Sequence, residues 1–248
     1  MLINCVAYQF GRKLAELDIE QISDYLERPD CFVWVALRDP SHTELNKMRE
    51  EFSLHPLAVE DAHKGHQRPK IEEYGDTLFA VVHMLEQRGG EIAVGEVEIF
   101  VGANFVLSVR SRSEQTLFAV RERCEREPEL LSKGAGFVAY AIMDAVVDRY
   151  FPLIDAIESE LEGVEEHIFD HGMARTNIER LYDLKRNMVA LKHAVGPLME
   201  AVSKLTSGRV PPVVAHSRDY FRDVYDHLVR INAQLETIRD TVGTAIQV

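Results

Sequence analysis

Tyr220-Phe221-Arg222-Asp223-Val224-Tyr225-Asp226-His227-Leu228 opens the stretch that decides the fold. From Tyr220 onward the apolar residues fall at Val224, Leu228, Ile231, Leu235, Ile238 and Val242, in steps of three and four. That period marks a long helix buried along one narrow seam. Two similar seams precede it. One runs Val147, Phe151, Ile154, Ile157, Leu161, Val164, Ile168, and the other runs Leu181, Leu184, Met188, Leu191, Val195, Leu198, Val202, Leu205. The predicted breaks are Asp170-His171-Gly172 and residues 207–212, which end in Pro211-Pro212. Thr176 and Glu179 have capping-box spacing at the start of the middle helix, and Gly196-Pro197 bends that helix without ending it. The third helix reaches Val248 with no C-cap, basic last turn or proline, so the natural chain is expected to continue past it.

Upstream the pattern changes. Phe32-Val33-Trp34-Val35-Ala36-Leu37 reads as a buried strand, followed by a helix over 41–52 with Ser41 and Glu44 as a capping box. Residues 77–85 are strand-like. Residues 96–101 and 105–108 flank Gly102-Ala103-Asn104 as a hairpin, and 114–127 read as a helix that stops at Pro128. The expected class is therefore α+β or α/β. A mixed β-sheet sandwiched by helices occupies 1–133, and a long-helix domain occupies 134–248, with two helices over about 136–206 and a third over about 213–248.

Composition narrows the function. The formal charge of −13 argues against nucleic acid as a partner. Three scattered cysteines, Cys5, Cys31 and Cys124, suit a reducing compartment better than a disulfide framework. The first residues do not read as a signal peptide, and no apolar run reaches the length of a membrane span. There is no phosphate-binding glycine loop, nucleophile elbow or CxxC pair, so enzyme chemistry has little to rest on.

Four carboxylates stand out from the 41 acidic residues. Asp144 lies among Ala141, Ile142, Met143, Ala145, Val146 and Val147, with Asp148 one turn on; a carboxylate in apolar surroundings is paired, protonated or metal-bound. Arg149 or Arg121 is the alternative partner. Glu60 and Asp61 close the segment His55-Pro56-Leu57-Ala58-Val59, where Pro56 suits a first helical turn. Two carboxylates near the negative end of a helix invite a cation. Asp223 flanks the third seam with only His227 at four residues, whereas Asp226 has Arg230 to cover its charge. The seven acids between Asp155 and Asp170 read as a solvated helix face, and His55, His63 and His66 as a surface loop.

Taken in order, these segments resemble one family. His55-Pro56-Leu57-Ala58-Val59-Glu60-Asp61 with Gln67-Arg68-Pro69-Lys70-Ile71-Glu72, then Ile142-Met143-Asp144-Ala145-Val146-Val147-Asp148, Leu184-Lys185-Arg186-Asn187 and the Tyr220–His227 run are similar to the CorA-type magnesium and cobalt channels. The resemblance implies a funnel-shaped homopentamer whose cytoplasmic domain carries two antiparallel willow helices and a stalk helix running into the inner membrane. It implies regulatory Mg2+, with Co2+ or another divalent cation as alternatives, bound between subunits to hold the pore closed. Asp61 of one subunit would face Asp223 of the next, with Glu60 and Asp144 at a second site. The membrane helices and Gly-Met-Asn pore signature of that family lie outside these 248 residues. A ZntB-like zinc transporter, a metal-dependent hydrolase and a helical adaptor remain open as other readings.

Overall fold

The computed structural model describes residues 1–166, 174–207 and 210–245. Its N-terminal half contains strands β1 (Leu2–Gln9), β2 (Arg12–Glu16) and β3 (Cys31–Arg38), with the short helix α1 (Ile22–Leu26) between the last two. Helices α2 (His42–Glu51) and α3 (Pro56–Lys64) follow, then β4 (Lys70–Tyr74), β5 (Thr77–Arg88), β6 (Glu91–Val101) and β7 (Phe105–Ser111). The sheet order is β2-β1-β3-β7-β6-β5-β4, antiparallel throughout except for the central β3–β7 pair. The sheet is therefore mixed, as expected.

Strand alternation gives the sheet two apolar faces. On β5, Phe79 and Val81 join Leu45 and Met48 of α2 and Ala58, Val59 and Ala62 of α3 in one core. Leu78, Ala80 and Val82 point the other way, into a larger core built with the later helices. These are α4 (Phe118–Arg126), α5 (Pro128–Leu131), α6 (Ala135–Asp148), α7 (Tyr150–Glu165), α8 (Ala174–Thr206) and α9 (Arg218–Ala245). Helix α6 is buried nearly all round because the sheet covers one side and α9 the other. Gly136 permits that approach: a Cβ there would lie 2.5 Å from the Val213 carbonyl oxygen. Pro128, read as a helix stop, also starts α5 at its first turn, where a missing N–H costs nothing.

The three predicted seams are buried where they fall on described residues, apart from Phe151 and Tyr220, which are half-buried against the same core. The first one divides at Arg149, where α6 gives way to α7. Helix α8 runs through Pro197 unbroken. Helices α8 and α9 are antiparallel: the Arg218 guanidinium donates to the Thr206 carbonyl at 2.8 Å, and Lys192 meets Glu236 at 2.7 Å. The predicted Thr176 cap is overturned, since α8 already begins at Ala174 and Glu179 pairs with Arg175 instead. The predicted break at Asp170-His171-Gly172 lies outside the described residues. The Ser41–Glu44 capping box is present in full. The three cysteines are free and buried; burial pushes the Cys5 thiol up to about 11 and that of Cys124 to about 12. Among the described residues no helix is long and apolar enough to cross a membrane.

Candidate metal centre

Helix α3 is held at both ends by local chemistry. The His55 ring nitrogen accepts from the Leu57 N–H at 3.3 Å, Pro56 takes the first turn, and Gly65, at φ 58°, donates its N–H to the Asp61 carbonyl. Ala58, Val59 and Ala62 face the sheet, which turns Glu60 and Asp61 away from it. Glu60 is exposed and pairs with Lys64, one turn on. Asp61 accepts a bond of 2.7 Å from Lys70, which also meets Glu72 at 2.8 Å. Burial works against the Lys70 charge, but the two carboxylates outweigh it and raise its pKa. Within one chain the cations at this helix end are thus lysine ammonium groups, one of them carried in by β4.

The second group of acids lies on the other face of the sheet. Asp144, on α6, is 4% exposed, and Arg123 donates to it at 3.0 Å. The partner is therefore neither Arg149 nor Arg121. Burial raises the Asp144 pKa, Arg123 opposes that, and Asp148 adds to it by like-charge repulsion. Asp148 projects from the same helix one turn later. His227 of α9 brings Nδ1 to 3.0 Å from Asp148 Oδ1 and Nε2 to 3.9 Å from Asp223 Oδ1. Asp144, Asp148 and His227 each offer a ligand atom within 4.8 Å of the others. The Tyr140 hydroxyl has its pKa raised, first by burial and then by Asp144, with Asp223 and Asp148 contributing.

Sequence reading selected Asp144 and Asp223 from this cluster and missed Asp148 and His227 as its other members. Their signal was present in the i,i+4 spacings Asp144/Asp148 and Asp223/His227, which put each pair on one helix face. Asp223 remains exposed, with the His227 ring nitrogen Nε2 3.9 Å from its Oδ1. The expected Asp226–Arg230 pair is absent among the described residues; the Arg230 guanidinium sits over the Phe151 ring, 4.8 Å from its centroid. Glu60 and Asp61 are separated from this cluster by the whole thickness of the sheet. His55, His63 and His66 form no metal-ligand group among the described residues.

Chemically, two carboxylates and an imidazole at this spacing suit a divalent cation. Carboxylate oxygens serve Mg2+, and adding an imidazole also serves Co2+ or Zn2+. The exposed Asp223 beside the cluster leaves it open to further ligands from outside the chain.

Comparison with known proteins gives a consistent result. A family model described as CorA-like Mg2+ transporter protein matches residues 30–247. The YfjQ protein of Bacillus subtilis (strain 168) is 33% identical over 241 residues, covering 96% of this chain and 73% of that protein. The cobalt/magnesium transport protein CorA of Thermotoga maritima is 30% identical over 241 residues, covering 96% of this chain and 68% of that protein. The structure of the soluble domain of CorA from Methanocaldococcus jannaschii superposes with a TM-score of 0.76 at 19% identity, covering all of this chain and 97% of that one. The cytoplasmic domain of ZntB from Vibrio parahaemolyticus superposes less well, at 0.70 and 14% identity, over 99% of this chain and 96% of that one. On the family match and these identities, the chain belongs to the CorA-like Mg2+ transporter family.

Proposed function

We propose that this chain is the cytoplasmic regulatory part of a CorA-type divalent-cation channel and senses Mg2+ at the interfaces of a homopentamer. Residues 1–133 form the body and residues 134–248 the lever, which continues into the inner membrane. Asp61 of one subunit faces Asp223 of the next, and Glu60 approaches the Asp144 cluster. The observation that carries this reading is the placement of the acids on opposite faces of one sheet. A single chain cannot bring Asp61 to Asp223, so the site proposed requires a second copy.

The energetics favour a weak, reversible site. Two carboxylates about 4 Å apart repel by about 4 kcal/mol at an effective dielectric of 20, and a divalent cation removes that repulsion. Lys70 already neutralises Asp61 within the chain, so a bridging cation must share that carboxylate or draw it away. Magnesium keeps most of its water and needs only one or two carboxylates. Shifting a two-state gate fully requires about 5.5 kcal/mol of differential binding, or about 1.1 kcal/mol at each of five interfaces. Each interface supplies about 1.1 kcal/mol when free Mg2+ is about six times its dissociation constant, so weak sites are adequate when they act together.

The test is protection from proteolysis in the membrane-embedded full-length protein, titrated with Mg2+. Asp61→Ala and Asp223→Ala should each move the protection midpoint to higher Mg2+, while a change at Asp155, on α7, should not. Identical midpoints in wild type and both variants would remove the interface assignment.

A further inference from the structure

A second concave feature lies away from the acids. Strand β4 ends its pairing at Lys70, opposite Val81, so β5 runs on beyond it with its edge uncovered by a strand. The α3–β4 loop, His66 to Pro69, crosses this gap on one side, and α8 flanks it on the other. Between them is a cleft of about 730 Å3, within the range of small-molecule sites.

Its lining is the reverse of the molecule's overall charge. Arg68 comes from the loop, Arg112 from beyond β7 and Lys192 from α8. Three of the chain's ten histidines, His66, His83 and His193, complete the polar wall. The one acid lining it, Glu96, is 1% exposed and already bound to the Arg112 guanidinium. Lys192 is shared with Glu236 of α9 at 2.7 Å, so the net positive charge of this cleft, in a chain of formal charge −13, rests on Arg68.

Several of these groups are held in place with bonding capacity left over. Glu96 fixes Arg112, whose backbone N–H is anchored by the Asp39 carboxylate at 3.0 Å. His83 donates from Nε2 to the Gln67 carbonyl at 2.8 Å, leaving Nδ1 buried and without a hydrogen-bond partner among the described residues. Arg68 has no ion-pair partner among the described residues. On α8, Pro197 lacks the N–H that would reach the His193 carbonyl, and Gly196 adds no side chain to the wall, with open space where its Cβ would be.

We propose that this cleft binds a small polyphosphate anion. Its three cations stand on three separate elements, and a ligand with several phosphate groups can address all of them. Guanidinium groups suit phosphate oxygens through paired N–H donors. A partly protonated phosphate also offers an O–H to the bare His83 Nδ1. A metal ion fits less well, because the ligand atoms of these histidines and Glu96 do not converge as those of Asp144, Asp148 and His227 do. The site is independent of the proposed metal sensor, and neither result decides the other.

The probe is inorganic tripolyphosphate, titrated calorimetrically into the metal-free 248-residue chain, with inorganic phosphate and sulfate in parallel. Tripolyphosphate should bind one per chain, at least tenfold more tightly than either single anion. Arg68→Ala breaks no internal pair, so it should weaken binding about fivefold with the fold intact. Lys192→Ala should do the same, and Arg126→Ala, an exposed residue of α4 outside the cleft, should change nothing. Absence of saturation at millimolar tripolyphosphate would overturn the proposal. So would equal affinity for sulfate, or binding that Arg68→Ala leaves unaltered.

Discussion

Asn187 ties the β5–β6 hairpin tip to α8 through a single carboxamide, and removing it should loosen that tip. Its Oδ1 accepts from the Ile92 N–H at 3.0 Å and its Nδ2 donates to the Gly90 carbonyl at 2.9 Å, pinning the tip of the β5–β6 hairpin to α8. The residue is 7% exposed. Neighbouring Arg186 ties the same tip through Glu91, but as an exposed pair it contributes about 0–1 kcal/mol. In Asn187→Ala the half-buried Ile92 amide loses its partner, at a cost of about 1–3 kcal/mol, while water takes over the exposed Gly90 carbonyl. The expected loss is therefore about 2 kcal/mol. Asn187→Asp keeps the acceptor for Ile92 and loses the donor, so it should fall between wild type and Asn187→Ala. Urea unfolding gives the stability change, and amide exchange at Ile92 reports the local one. A stability change under about 0.5 kcal/mol together with unaltered Ile92 protection would refute the reasoning.

Two other substitutions test the frame. Gly11, at φ 73° in the β1–β2 turn, would place a Cβ 1.8 Å from the Pro128 carbonyl oxygen, so Gly11→Ala should cost about 2–4 kcal/mol in urea melts. Gly75, at φ 61° with open space around it, should lose only about 1–2 kcal/mol on the same change. Glu86 is largely buried, which pushes its carboxyl up, but the Ser113 hydroxyl, Arg88 and the Gln115 N–H outweigh that and bring it down to about 2. A depressed carboxylate stabilises above its unfolded pKa near 4.5 and loses that contribution as pH falls toward 2. Glu86→Gln should accordingly be less stable than wild type at neutral pH, with the two unfolding curves converging near pH 2. A constant gap across that range would contradict the assignment.

The long helices were legible because burial on one seam leaves a 3.6-residue period that no other arrangement requires. Strands β2 and β4 were not. Arg12–Glu16 and Lys70–Tyr74 are edge strands rich in charge, and their pairing comes from the turn at Phe10-Gly11 and from β5, respectively. The division at Arg149 was hidden because the apolar spacing continues across it. At the candidate site, Asp144 stood out through its apolar neighbours, a property of local sequence. The partners were invisible for the opposite reason. Arg123 reaches Asp144 from another helix and Lys70 reaches Asp61 from a strand, so tertiary placement alone decides both pairs.

The lone parallel joint between β3 and β7 also orders the assembly of the sheet. On one side β2, β1 and β3 make a compact antiparallel unit; on the other, β4 to β7 form a meander of successive neighbours. Each can nucleate from short loops. The ladder from Val33 opposite Phe105 to Arg38 opposite Arg110 cannot, because α2, α3 and three strands lie between its halves. Closing so long a loop costs entropy before any bond repays it. The middle of the finished sheet is therefore its last part to zip. Until it does, two unpaired edges stand open, and a nascent chain at that stage is most exposed to pairing with a neighbour's strand instead of its own.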